Sequence, residues 1–589
     1  MGDLIIRRGL VFDGGDNPGR ILDVRVRGSR VAELSPAPLS PRPDDTVIEA
    51  EGRWVTPGFI DIHTHYDAEV EVDPALRESL RHGVTTVFLG SCSLSAAVGD
   101  PTDIADMFTR VEAIPYDHLL PLMRARKTWN SHAEYAAHLD ALPLGPNVAS
   151  FVGHSALRAE VLGLERALDP QVRPKPEEME RLIALAREGY DSGFLGLSLN
   201  TLYWDKMGGD RYRSRCLPST YATWKELRRL VREVRRRDLN LQAIPNVSTR
   251  YELLFYAAFS MGFGLRASLK TTLVSIMDLE ANRLIWRLLR TLGWAFNRLF
   301  GARFRYQCLP VPFDLWTDGF DTVVFEEFGA GAAGLHLREE AERRALFTDP
   351  GYRRRFRSQW RNPFLPRVFH RNFALATITD CPEPALVGRS FRQIAEEQSQ
   401  SEVDVFLDLV ARHGTKLRWY TVTGNGRPDV LARLVAAPES ILGFSDAGAH
   451  LRNMAFYNFP LRLLRRLKDA ADQGRPALPV ERGIWRLTGE LADWFEIDAG
   501  HLAEGRRADL VVIDPETLDD RLEEVHEAEM PGLGGMKRLV RRNPETVRAV
   551  LVNGAWVVED GEIRPGVGET VRAGRFLRAR DRTQTVEAG

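Results

Sequence analysis

His63 and His65 stand one residue apart at the end of an apolar run, GFIDIHTHYD (58–67). Alternate residues of a strand share a face, so Asp61, His63 and His65 line up at Cα steps of about 6.6 Å. Two neutral imidazoles placed this way can converge on one cation. The competing reading, a pair of hydrogen-bonded core histidines, suits a lone His better than a pair at a strand's end. A second run, GFSDAGAH (443–450), puts Asp446 after an apolar stretch and follows it with small residues that let a substrate come close. An Asp capping a turn is the bland alternative there. Two imidazoles and a carboxylate holding a divalent metal bring the pKa of water from about 15.7 to about 7, which is hydrolytic chemistry. Asp446 is then both metal ligand and proton acceptor. His154 ends a further run, NVASFVGH (147–154), and is placed to polarise a carbonyl or meet substrate; a satisfied core histidine is its plain alternative.

Such residues need a scaffold that gathers strand ends. Strand-length apolar runs recur at 58–65, 85–92, 147–154, 193–200, 239–246, 265–272, 372–379 and 440–450. Amphipathic stretches such as PEEMERLIALAREGYDSG (176–193) and TWKELRRLVREVRRRD (223–238) lie between several of them. Eight strands alternating with helices predict an α/β fold, a (β/α)8 TIM-like barrel whose first and last strands are neighbours and whose active site is at the strands' C-terminal ends. His63, His65 and Asp446 then meet. Residues 3–55 alternate like short strands, and the texture returns in ADLVVIDP (508–515) and VRAVLVNGAWVVEDGEI (547–563). We therefore expect a small β-sandwich domain built from both termini, 1–55 plus 497–589, around a barrel at 56–496. Ordinary barrels need about 250 residues, so insertions are expected at about 100–147 and 250–370. Within the second, NRLIWRLLRTLGWAFNRLF (282–300) is an aromatic, basic amphipathic helix. We favour a helix packed on the barrel or a lid over one lying on a membrane surface.

A formal net charge of −2 demands neither nucleic acid nor an anionic membrane as partner. Four scattered cysteines without a CxxC point to a reducing compartment, and the N-terminus has no signal-peptide pattern. No apolar run is long enough to span a bilayer. The expectation is a cytoplasmic protein with a small-molecule substrate, no nucleic acid and no spanning segment; a homo-oligomer is left open.

HxH after PGFID, HGVTTVFLGSC (82–92), NVASFVGHSALR (147–158), GFLGLSLNTLY (193–203) and SDAGAH before LTGELADWFEI…GHLAEGRRADLVVID resemble the amidohydrolase superfamily. Within it the chain is similar to the D-aminoacylase (N-acyl-D-amino-acid deacylase) family over nearly its whole length, most weakly across 200–370. The resemblance implies metal-dependent hydrolysis of a C–N amide bond of an N-acyl-D-amino acid or similar N-acyl compound. It also implies that Cys92 is a zinc ligand. The family's other two ligands to that zinc, one His each from strands 5 and 6, are missing: LNLQAIPN and LRASLKTT offer Gln242, Asn246, Ser268 and Lys270. One Zn2+ (or another divalent metal) per chain at His63, His65 and Asp446 is the expected outcome, ahead of a carbamylated, bridging Lys270 or a decayed site. A substrate carboxylate needs a cation; Arg452, Arg250 and the RYRSR cluster (211–215) are candidates. Tyr203, Trp204 and Tyr457 would suit an apolar acyl group. Competing readings are hydrolysis of a cyclic amide or lactone, and a non-catalytic binding protein on a decayed barrel.

Overall fold

The structure is a computed structural model, and the description covers residues 2–246, 249, 251–262, 267–365 and 367–579. Strands from both ends of the chain share one nine-stranded sheet. Its order is Glu562–Ile563, Ala555–Glu559, Val547–Val552, Leu510–Ile513, Trp54–Pro57, Leu4–Val11, Arg20–Arg27 and Arg30–Ser35, with Thr46–Glu49 also on Leu4–Val11. The two-residue side-chain period explains why it is buried on both faces. Leu510 and Val512 join Ile6, Val24 and Val26 in one apolar cluster, while Val511 and Ile513 point into the main core.

The middle of the chain is a mixed α/β fold. Its parallel strands form three sheets: Phe59–Asp61, Val84–Leu89 and Asn147–Ser150; then Val152–Gly153, Gly196–Asn200, Asn240–Ile244, Lys270–Val274, Arg303–Gln307 and Ser440–Ile441; and Phe444–Ala447 with His63–Thr64. Helices cover them through apolar stripes. In Pro176–Asp191, Met179, Leu182, Ile183, Ala186 and Tyr190 are buried, three or four residues apart as a 3.6-residue turn requires. In Trp224–Arg236 the cap Thr223 accepts from the Glu226 amide, and Leu227, Leu230, Val231 and Val234 face inward. Each such side chain contributes about 1.5–3 kcal/mol by leaving water.

Two expectations about strands are corrected. The run 372–379 is not a parallel strand. Ala376–Asp380 lies in a separate antiparallel sheet with Phe313–Asp318 and Arg418–Gly424. The position expected for it is held by Arg303–Gln307, whose alternating arginines disguise it as surface. The helix at 282–300, observed as Ile285–Phe300, is thus no embellishment but the crossover between Lys270–Val274 and Arg303–Gln307. The large addition lies at 308–439, around an aromatic core containing Phe325, Trp360, Phe373, Phe406 and Trp419. Its strand Phe313–Asp318 is tied to the loop beyond Asp446, since Asn453 Nδ2 donates to the Trp316 carbonyl at 2.7 Å.

Candidate metal centre

His63 and His65 leave the end of their strand with their rings 5.4 Å apart and both Nε2 atoms aimed at one point. Cys92 Sγ lies 3.2 Å from His63 Nε2 and 3.3 Å from His65 Nε2. Asp446 Oδ1 lies 3.6 and 3.3 Å from the same two nitrogens. The three side chains His63, His65 and Cys92 are buried, and Asp446 keeps 18% of its side chain exposed. It is the donor that faces the mouth.

The surroundings force this convergence. Thr64 Oγ1 donates to the Phe88 carbonyl at 2.7 Å, locking the first strand's end to the second's. Asp61 accepts from the His63 amide (3.3 Å) and from the Ser445 hydroxyl, joining the first strand to the last. Burial raises Asp61 to about 8, so it is a neutral hydrogen-bonding acid rather than a rival anion. Gly448, at φ +88°, passes so close to the first strand that a Cβ there would sit 2.2 Å from the His65 carbonyl oxygen. Left-handed backbone at Cys92 (φ 55°), Ser93 (69°), Asp446 (60°) and His450 (48°) concentrates strain at the cluster, as functional sites do.

Protonation states suit a cation. His63 Nδ1 donates to Gln307 Oε1 at 2.7 Å, which leaves the Nε2 lone pair facing Cys92. Burial lowers His63 to about 4, so the ring is neutral at pH 7. Burial pushes the Cys92 thiol well up, and Asp205, Asp446 and Asp67 add to it; a thiolate there requires a positive charge beside it. For Asp446 burial acts upward, but the hydrogen bond from His65 and the favourable electrostatics of the histidines around it outweigh it and hold the carboxyl below its usual range. The donor set also fits by distance. Tetrahedral zinc with bonds of about 2.0–2.3 Å spaces nitrogen and sulfur donors about 3.4–3.6 Å apart, close to the 3.2 and 3.3 Å from Cys92 Sγ to the two imidazole nitrogens; His63, His65 and Cys92 form the compact trio, with Asp446 beside the imidazoles.

The other expected residues fall elsewhere. His154 is not brought to the cluster: Nδ1 meets Ser219 Oγ at 2.9 Å and Nε2 meets Glu226 Oε1 at 3.1 Å, while Arg158 Nη1 reaches both oxygens of the same Glu226 at 2.6 Å. Both of its ring nitrogens are used in the packing of helix on helix. Arg452 is also committed, to Asp318 at 3.0 Å and Glu527 at 2.7 Å, so it has no fork left for a substrate carboxylate. Tyr203 is half exposed in the loop after Gly196–Asn200. Tyr457 is core, under the Arg538 guanidinium. Arg250 lies outside the described residues. Lys270 is at the N-terminal end of its strand and pairs with Glu496 at 2.7 Å, away from any bridging role. Gln242 donates to the Ile62 carbonyl at 3.2 Å and packs beneath the site.

Three residues of the neighbourhood were missed. Gln307 sat on the unrecognised strand. Asp205 and His450 act electrostatically on each other and on Asp446: burial raises Asp205 against the Asn200 hydrogen bond and His450, and burial lowers His450 against the pull of Asp446 and Asp205. His450 was visible four residues after Asp446; nothing in the spacing around Asp205 marks it.

Residues 46–228 match the model of an amidohydrolase family. An uncharacterized protein of Mycobacterium tuberculosis is 47% identical over 98% of this chain and 96% of its own length. A D-aminoacylase of Alcaligenes xylosoxydans xylosoxydans is 26% identical over 88% of this chain and 89% of its own. The chain belongs to the D-aminoacylase-like amidohydrolase family. An N-acyl-D-glutamate deacylase of Bordetella bronchiseptica, solved with zinc and a phosphonate inhibitor, superposes with a TM-score of 0.62 at 23% identity, covering 98% of this amidohydrolase and all of that chain. A D-aminoacylase structure concerned with one-metal activation and second-metal attenuation of a binuclear centre gives 0.61 at 23%, with the same coverage.

Proposed function

We propose that this amidohydrolase is a mononuclear metal-dependent hydrolase of the amide bond in an N-acyl-amino acid, D-configured substrates foremost. The carrying observation is the convergence of His63, His65 and Cys92 on one point, with Asp446 Oδ1 3.6 and 3.3 Å from the two imidazole nitrogens. Zn2+ held by His63, His65 and Cys92 would keep a fourth position open, where it would acidify water at neutral pH and polarise the scissile carbonyl. Asp446, ionised and facing the mouth, accepts the proton of the attacking water at its carboxylate and returns it to the leaving nitrogen. His450 and Asp205, which interact electrostatically with Asp446, are the candidates to assist that proton transfer. Gln242 and Thr272, on the strands where the resembled family carries histidines, offer no imidazole for a second metal. The D-aminoacylase that works with one metal active and a second attenuating is in keeping with a single site.

Arg213, from the RYRSR cluster, replaces Arg452 as the candidate for the substrate carboxylate. Among the described residues it donates to the carbonyls of His336 (3.2 Å) and Gly208 (3.4 Å). Burial first, then Arg338, Arg110 and Arg343, push it down to about 10; those three arginines have carboxylate partners in Asp210, Glu326 and Asp321, and no ion pair is seen for Arg213 among the described residues. Arg110 also acts on His450, which links this cluster to the site.

The scaffold is read as one closed (β/α)8 barrel, supported by continuation of parallel pairing across the split strands at residues 62, 151 and 442–443. The strands of both chain ends are read as a small β domain, 1–55 with 497–589, whose nine-stranded sheet packs one face on the main core. Four unpaired cysteines favour a reducing, cytoplasmic setting.

The test is metal content of chelator-free protein together with turnover of N-acyl-D- and N-acyl-L-amino acids, hydantoins and lactones. One zinc per chain and turnover of an acyl-amino acid is expected. Two metals per chain would refute the mononuclear site, and turnover confined to rings would move the substrate to cyclic amides or lactones.

A further inference from the structure

Helix Ile285–Phe300 buries Trp286, Gly293 and Phe296 and leaves its opposite face uncovered. Leu284 (64% exposed), Leu288 (54%), Trp294 (50%) and Leu299 (64%) stand in solvent on or beside one helical stripe with Arg287, Thr291 and Arg298. The helix that precedes it in the chain, Glu252–Ser260, packs like it against Arg303–Gln307 and leaves Tyr251, Leu254 and Phe255 exposed. Single exposed apolar residues need no explanation, but a contiguous set of large ones marks an interaction surface.

Charge identifies the partner. Helix Ile285–Phe300 carries three arginines and no acid. On Trp224–Arg236, which stacks Trp224 on Phe255 at 4.5 Å, the residues Lys225, Arg228, Arg232 and Arg236 line the exposed face at steps of three or four. An open groove of about 440 Å³ beside the apolar stripe is lined by Trp286, Arg287, Arg427, Asp429 and Arg433. Leu, Trp and Phe flanked by arginine and lysine complement acyl chains beneath anionic headgroups. No helix among the described residues is long and apolar enough to cross a membrane.

We propose that this face docks on an anionic lipid bilayer, with Ile285–Phe300 lying in the headgroup plane. Each helix starts beyond the C-terminal end of a parallel strand, the end where His63, His65 and Cys92 gather. Tyr251, Leu254, Leu284 and Leu288 are therefore on the side of the mouth, and docking brings that mouth beside the lipid. This surface is independent of the hydrolase reading.

Co-sedimentation of the full chain with phosphatidylcholine vesicles, with and without phosphatidylglycerol, tests it. Binding is expected only with phosphatidylglycerol, weakening as salt screens the arginines. R287Q/R298Q should lower partitioning by about 25-fold, about fivefold per arginine. L288S/W294S should abolish it, with circular dichroism and thermal melting unchanged because both side chains are exposed. Absence of binding to the anionic vesicles overturns the proposal, as does binding indifferent to both variants. So does a dimer in sedimentation equilibrium that L288S/W294S dissociates, because the face would then belong to a second copy of the chain.

Discussion

Two buried histidine clusters sit close together in this molecule and differ in one respect. Around His154 the ring nitrogens, the Glu226 carboxylate and the Arg158 guanidinium use one another. Around His63 and His65, the two Nε2 atoms and the Cys92 thiol face a common point beside the Asp446 carboxylate, and His63 Nδ1 is anchored elsewhere, on Gln307. The same residue types serve packing in one place and leave coordinating capacity in the other. A buried histidine is therefore classified by where its second nitrogen goes.

Removing a ligand from each cluster is the strongest way to break this comparison. H63A is expected to cost several kcal/mol of transition-state stabilisation, about a thousandfold or more in kcat/KM, and to lose bound metal by elemental analysis. H154A should keep its metal. A folded H154A without metal would erase the distinction between the clusters.

Glu226→Ala sharpens the structural side. It leaves Arg158 buried without a carboxylate partner among the described residues and His154 without its acceptor, so a loss of about 3–5 kcal/mol in denaturant unfolding is expected, with metal still bound at one per chain. A stability change below about 1 kcal/mol would show that the saturated cluster is not holding the helices.

Gln307→Leu probes the anchored nitrogen. Loss of a ligand's outer hydrogen-bond partner typically weakens metal binding by about 10–100-fold, measured by competition with a chromophoric chelator while the melting curve is retained. Unchanged affinity would mean that His63 needs no anchor.

Substrate binding gives the smallest contrast. Arg213→Ala should raise KM by about 10–100-fold, the worth of one charge-assisted contact, with kcat nearly unchanged. Arg452→Ala should leave KM alone, because that side chain already serves Asp318 and Glu527. The reverse order would restore Arg452 as the carboxylate clamp.

Strand alternation made much of the site legible. It put His63 and His65 on one face, and the order of the runs put Asp446 at the neighbouring strand; Cys92 came from family resemblance. The fold was legible where apolar runs were buried on both faces, as in Val84–Leu89 and Gly196–Asn200. It was not legible at Arg303–Gln307, where Arg303 and Arg305 reach partners on the molecule's side, Asp238 and Glu490, and so mimic a solvated segment. Mistaking 372–379 for that strand followed, since a short apolar run fits an antiparallel edge as well as a parallel interior.

The sequence by itself determined which donor types exist and, through the two-residue period of strands, which of them share a face. Whether a given imidazole is spent or open was decided by tertiary structure alone. Gln307 is 244 residues from the His63 it orients, and Glu226 is 72 residues from the His154 it saturates. Hydrogen-bond capacity is consumed by neighbours in space, and no local pattern records which neighbours those will be.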